Sequence, residues 1–114
     1  MTMGLRWTTT VTGLSSTFGF PILVPDVMRT PFAIGVGCVV NSSNITYSVQ
    51  HTFDYTGSST FISSNATWFT NSGISSASSN IDGNYAFPVS AIRPNVTAGS
   101  STGTLTLTLI QGGP

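Results

Sequence analysis

The sequence predicts an all-β domain folded as a β-sandwich, and two observations carry that expectation. In the closing segment "STGTLTLTLIQGGP", Leu105, Leu107 and Leu109 alternate with Thr104, Thr106 and Thr108, the period-two pattern of a strand with one apolar and one polar face. Elsewhere β-branched and aromatic residues dominate, turn residues recur at short intervals, and no stretch carries the period of a long amphipathic helix. A chain of 114 residues is the size of one domain, so residues 1–114 form a single sandwich. About seven or eight strands fit a jelly roll or an immunoglobulin-like fold. The jelly roll is favoured, although strand counting alone leaves both open.

The elements follow in order. "LRWTTTVTG", residues 5–13, is the first strand, with residues 1–7 as a candidate contact arm. "FPILV", residues 20–24, is a second strand that stops at the Pro25-Asp26 turn, and "DVMRT" can form one helical turn before Pro31. "FAIGVGCVV", residues 32–40, is apolar on both faces, as in a central strand, and Gly35 and Gly37 suit a close neighbouring backbone. In "NITYSVQHTF", residues 44–53, Ile45, Tyr47, Val49, His51 and Phe53 share one face. The short "NSSN" between these strands predicts a hairpin. "ATWF", residues 66–69, is a short strand. The polar loop "TNSGISSASSNIDGN", residues 70–84, is long enough to suggest binding. "YAFPVSAIR", residues 85–93, is a strand in which Pro88 points to an edge or a bulge.

The surface is unusual. Charged residues make up 5% of the chain, against about 25% in a typical domain. Arg6, Arg29 and Arg93 face Asp26, Asp54 and Asp82, with no Lys and no Glu, and the 35 Ser and Thr residues fill the vacated positions. Three scattered arginines cannot track a phosphate backbone, so no nucleic-acid partner is expected. A neutral surface suits a protein that works assembled, through contacts nearly indifferent to salt. It also suits a Ser/Thr-rich secreted β-domain. The lone Cys38 excludes an internal disulfide and reads as a small buried hydrophobe. The N-terminus lacks the basic and apolar regions of a signal peptide, no run is long enough for a membrane helix, and the Asn-x-Ser/Thr sites at Asn41, Asn44, Asn65 and Asn95 are expected to stay unmodified.

The inventory for catalysis is thin: one His, three Asp and one Cys. "GVGCVV" lacks the third glycine and the helix of a dinucleotide fingerprint, and "GISSA" lacks the strand-to-helix setting of a nucleophile elbow. His51 and Asp54 diverge on a strand, so His51 is expected to be a half-buried histidine bonded to backbone. No enzyme activity, cofactor or metal is expected. The aromatics say more. Trp68 and Phe69 are adjacent and point to opposite faces of a strand, so one of them leaves the main core and becomes an interface candidate.

"SVQHTFDY", then "ATWF", then "DGNYAFPVSAIRPNVTAGSSTGTLTLTLIQGG" together resemble a pattern in capsid decoration, or cement, proteins of short-tailed bacteriophages. The pattern covers residues 48–113 and consists of strands and turns. It is departed from at Pro94, where a Leu would follow "AIR", and at Tyr55, where a second acidic residue would follow Asp54. The resemblance implies a jelly roll on the outer surface of a virion capsid, dimeric and bridging neighbouring major capsid proteins. The resulting contact candidates are Leu5, Arg6 and Trp7 at the N-terminus, Trp68 and Phe69, Ile74 in the long loop, and Thr104, Thr106 and Thr108 on the last strand, whose threonine face or free edge would meet another chain. Two rivals remain at this stage. One is a tail or fibre module of the same kind of particle. The other is a carbohydrate-binding sandwich, with Trp68 and Tyr85 as the stacking residues.

Overall fold

The alternating segments do become strands. The computed structural model describes residues 5–12, 22–26, 32–41, 45–54, 66–98 and 103–112. Among these described residues are seven strands: β1 (Leu5–Thr12), β2 (Ile34–Val40), β3 (Thr46–Thr52), β4 (Trp68–Thr70), β5 (Ile81–Tyr85), β6 (Ala91–Ala98) and β7 (Thr104–Gln111). They form two sheets, of order β1-β7-β2-β5 and β4-β3-β6, and every pairing between them is antiparallel. Leu23 adds an isolated antiparallel bridge to Ile92 of β6.

The pairing is nested along the chain. β1 pairs with β7, the Leu23 segment with β6, β2 with β5, and β3 with β4. A long antiparallel hairpin folded over on itself produces this order, and it is the jelly roll rather than the immunoglobulin-like arrangement. Between the sheets lie Val11, Ile34, Val36, Cys38, Tyr47, Val49, Ile92, Val96, Leu105, Leu107 and Leu109, together with Ile45, Ile74, Tyr85 and Val89. Nearly all come from alternate positions of their strands, so hydrophobic burial and the two-residue period select the same face.

Several expectations change. The last strand is central, with β1 on one side and β2 on the other, so it offers no free edge. The open edge strands of that sheet are β1 and β5. β2 and β3 are no hairpin, because they belong to different sheets and the chain crosses between the layers through the fully buried Ile45. Residues 22–26 contribute one bridge rather than a strand. Gly37 would meet nothing within 4 Å if it carried a Cβ, and Gly35 only the Ile110 carbonyl at 4.0 Å, so neither glycine is needed for close approach. Pro88 sits between β5 and β6, outside both strands. Pro94 is inside β6, yet it is tolerated. Ile92 directs both its N–H and its C=O towards Leu23, so Pro94, two residues on, turns its missing donor to that same side and away from the ladder with β3. The "DVMRT" turn beyond Asp26, most of "NSSN", and Tyr55 lie outside the described residues.

The 70–84 segment is less of a free loop than its composition suggests. β5 emerges from its C-terminal part. Before that, residues 71–77 lie along β3 where β4 has ended. Asn71 N–H donates to the Val49 carbonyl at 2.8 Å, Val49 N–H to that of Ile74 at 3.1 Å, and Tyr47 and Ala77 exchange bonds of 2.9 and 2.8 Å. Ser76, with φ of 54°, makes the tight bend, and its N–H is held by Ser48 Oγ at 2.9 Å. The segment therefore caps the edge of β3 and drops Ile74 into the core.

Candidate functional site

Two surfaces stand out once the strands are paired. The first is the outer face of the four-stranded sheet. Register places Thr8 opposite Thr108 and Thr10 opposite Thr106, and the hydroxyls meet across the strands at 3.1 Å in both pairs. This settles what the threonines of β7 face within the chain: the threonines of "WTTTVT". Gly35, Gly37 and Val39 of β2 lie on the other side, opposite Ile110, Thr108 and Thr106. Val39 and Ile110 are exposed. The charged side chains of this face are Arg6 on β1, opposite Ile110, and Asp82 on β5, opposite Gly37, and the central hydroxyls between them are already paired. Burying a hydroxyl without a partner is costly, whereas these pairs carry their partners with them.

The second surface is on the flank where the edge strands β4 and β5 come together. His51 of β3 is surrounded by four aromatic rings. Its centroid lies 5.5 Å from Phe53, 5.9 Å from Phe69, 4.9 Å from Tyr85 and 5.6 Å from Phe87. The three phenylalanines also contact one another or Tyr85. Phe53, Phe69 and Phe87 stay 53%, 49% and 47% exposed, while His51 is 6% and Tyr85 1% exposed. Beside them opens a pocket of about 450 Å³ lined by His51, Thr70, Asn71, Ser72, Gly73, Gly83, Asn84 and Phe87. None of these is a charged side chain.

A chain of hydrogen bonds fixes the floor of the pocket. His51 Nδ1 and the Tyr85 hydroxyl are 2.9 Å apart. Burial pushes the Tyr85 phenol up to about 12, partly offset by a hydrogen bond from Asn71. The phenol donates to Nδ1 or accepts from it according to which imidazole nitrogen carries the proton. Asn71 is itself held by Gly73 N–H to its Oδ1 at 2.8 Å and by its Nδ2 to the Asn84 carbonyl at 3.3 Å. Burial lowers the His51 pKa from its ordinary 6.5, so the site is neutral at physiological pH.

That shift makes stability depend on pH. The unfolded chain takes up a proton on its one histidine below about pH 6.5, and the folded chain resists until a lower pH. The stabilisation is therefore complete above pH 6.5 and is lost as pH falls towards the folded pKa. In thermal melts the midpoint should fall below pH 6.5, by up to about 1.4 kcal/mol of stability per pH unit inside that window. A His51→Gln variant should show a flat profile between pH 5 and 7.

The other sequence candidates are distributed as follows. Leu5, Arg6 and Trp7 lie in β1, with Trp7 packed partly against the core. Trp68 and Phe69 do point to opposite faces, and neither belongs to the main core. Trp68 lies on the outer side of its sheet, with the Arg93 guanidinium 4.1 Å from its ring centroid and Arg93 Nε bonded to Gln50 at 2.9 Å. Ile74 is fully buried, so it is a core residue and not a contact. Tyr85 is buried and Trp68 is covered by Arg93, so the stacking pair expected of a sugar-binding sandwich is not available. His51 is bonded to a tyrosine hydroxyl rather than to backbone. Asp54 takes the Thr67 N–H at 2.8 Å instead of approaching it. Cys38 is buried and its thiol is pushed up to about 11 by burial, with Tyr47 offsetting this in part. Among the described residues no three His, Cys, Asp or Glu come together. The exposed cluster of Phe53, Phe69 and Phe87 was not singled out from the sequence as a site. Its signals in the sequence were the aromatics around "HTF", "WF" and "YAF", among them the interface candidate Phe69, and the long 70–84 segment that supplies much of the pocket lining.

No family model matches the chain, and no curated protein matches it. Among solved structures, one described as "Bacillus endospore appendages form a novel family of disulfide-linked pili" is similar over 97% of this chain and 88% of its own, at 12% identity and a TM-score of 0.46. Likeness at that level transfers neither function nor partners.

Proposed function

We propose that this protein is a non-enzymatic structural component of a virion, a capsid decoration protein that binds the outer shell and bridges neighbouring copies of the major capsid protein. The observation that carries the reading is the outer face of β1, β7 and β2, whose central hydroxyls are paired and whose charges are confined to Arg6 and the neighbouring Asp82. Such a face can be covered by another protein with little desolvation penalty and little dependence on salt. The resemblance of residues 48–113 to decoration proteins points the same way.

Size limits what the face does alone. A strand of eight residues is about 27 Å long, and three neighbours cover roughly 300–400 Å². A standard interface takes about 800 Å² from each partner. The remainder falls to the adjoining edge of β1, with Leu5, Arg6 and Trp7, where backbone groups that pair with no other strand among the described residues can take up a further strand. A symmetric dimer across that edge would present two identical faces to the shell, and each bound copy would stabilise the closed shell by mass action.

Quantitative mass spectrometry of purified particles tests the assignment. A copy number equal to that of the main shell protein, or a simple fraction of it, is expected. A few copies per particle would mark a tail or fibre module instead. At the residue level, Thr106→Lys puts a charge in the middle of the face while leaving the core untouched. Its melting temperature should stay within about 2–4 °C of the parent, as for a surface change of about 0.5 kcal/mol. Its occupancy on particles in a reconstitution assay should fall tenfold or more. Unchanged occupancy would move the contact elsewhere.

A further inference from the structure

We infer that the flank pocket beside His51 is a binding site for a neutral pyranose ring, the terminal residue of an uncharged glycan. The inference is independent of capsid attachment, because the pocket lies on the flank and not on the threonine face.

Three observations converge on that ligand class. First, Phe53, Phe69 and Phe87 hold about half their surface open to solvent around one buried histidine. Grouped exposed rings are uncommon on a domain surface unless something covers them. Second, the walls combine the ring of Phe87 with the hydroxyl-bearing Thr70 and Ser72 and with the backbone of Gly73 and Gly83. A pyranose has the same two-sided character, with C–H groups on its faces and hydroxyls around its rim. The absence of charged side chains from the lining disfavours phosphates, carboxylates and cations. Third, His51 is more than nine-tenths buried, and its Nδ1 is committed to Tyr85. Nε2 makes no hydrogen bond among the described residues, although the ring lines the pocket. A buried ring nitrogen without a partner is a costly feature, and a sugar hydroxyl can donate to it or accept from it, whichever tautomer the ring holds.

The positioning is built in. Asn71 holds Gly73 and the Asn84 carbonyl at once, which ties the loop wall to the β5 wall. Gly83 leaves room on the inner side, where an added Cβ would come within 3.0 Å of Ile74 Cδ1. An apolar side chain from a partner protein could also rest on the phenylalanines, but it would leave the Nε2 nitrogen and the hydroxyls unpaired.

The test uses the full chain, labelled with ¹⁵N, titrated with glucose, galactose, mannose and N-acetylglucosamine and with their short neutral oligosaccharides. At least one should shift the amide signals of His51, residues 70–73, residues 83–84 and Phe87, with an affinity in the millimolar range typical of single-ring sites. Phe87→Ala should weaken that binding tenfold or more. So should Ser72→Leu, which blocks the mouth from an exposed position, and Thr106→Val on the distant face should leave it unchanged. No shift with any of these sugars would overturn the inference, as would shifts scattered away from the pocket. A stronger response to N-acetyl-phenylalaninamide than to every sugar would also overturn it, by marking the pocket as the seat of a partner's apolar side chain.

Discussion

Replacing Ile74 with alanine should destabilise the protein by about 2–5 kcal/mol, the range for removing a fully buried aliphatic side chain. Ile74 has no exposed surface and sits under Gly83, between the capping segment and β5. Its loss leaves a cavity where three pieces of chain meet, and the 71–77 segment then rests on its backbone bonds to β3 and the Asn71 bond to Asn84. Thermal midpoints should drop by about 4–8 °C per kcal/mol for a domain of this size, and amide exchange should accelerate first at Asn71, Ile74 and Ala77. A surface role for Ile74 predicts a change below about 0.5 kcal/mol, so the measurement separates the two cleanly. The neighbour supplies a second check. Gly83→Ala places a Cβ 3.0 Å from Ile74 Cδ1 and 3.3 Å from its Cγ1, an overpacking expected to cost about 1–3 kcal/mol. In the Ile74→Val background, which lacks Cδ1, most of that loss should vanish.

Gln111→Leu should cost about 2–5 kcal/mol, for a different reason. Gln111 is completely buried at the end of β7, and its amide clamps one residue from both sides. Its Nε2 donates to the Asp26 carbonyl at 2.7 Å, and its Oε1 accepts the Asp26 N–H at 2.9 Å. Leucine fills similar space but removes both of Gln111's hydrogen bonds to Asp26, at about 1–3 kcal/mol for each group that stays dry. Gln111→Glu keeps the acceptor and loses the donor, so it should fall between the parent and the leucine variant above pH 6. Urea unfolding reads both. If Gln111→Leu melts like the parent, water reaches Asp26 and the clamp is dispensable.

The part of this structure visible in the sequence is the part that depends on neighbours two residues away. Alternation at 104–109 and 45–53 placed two strands and sorted their faces, because the pleat sends successive side chains to opposite sides. The adjacency of Trp68 and Phe69 told that they must part company, and they do. The flank pocket was hardly visible. Its residues come from β3, the loop after β4, β5 and the β5–β6 connection, segments separated by tens of positions, and no local pattern links them. Ile74 was misread because a single isoleucine in a Ser-rich run carries no period.

By itself, then, the sequence determined that the chain is a β-domain, which residues of each strand turn inwards, and that its surface is almost free of charge. Those are consequences of composition and of local backbone geometry. Only the tertiary structure decided that β7 is a central strand, that β2 and β3 lie in different layers, and that threonine faces threonine between β1 and β7. Pairing between strands as far apart as Thr8 and Thr108 depends on how two whole sheets bury their apolar faces against each other. That is a property of the folded chain and of no segment within it.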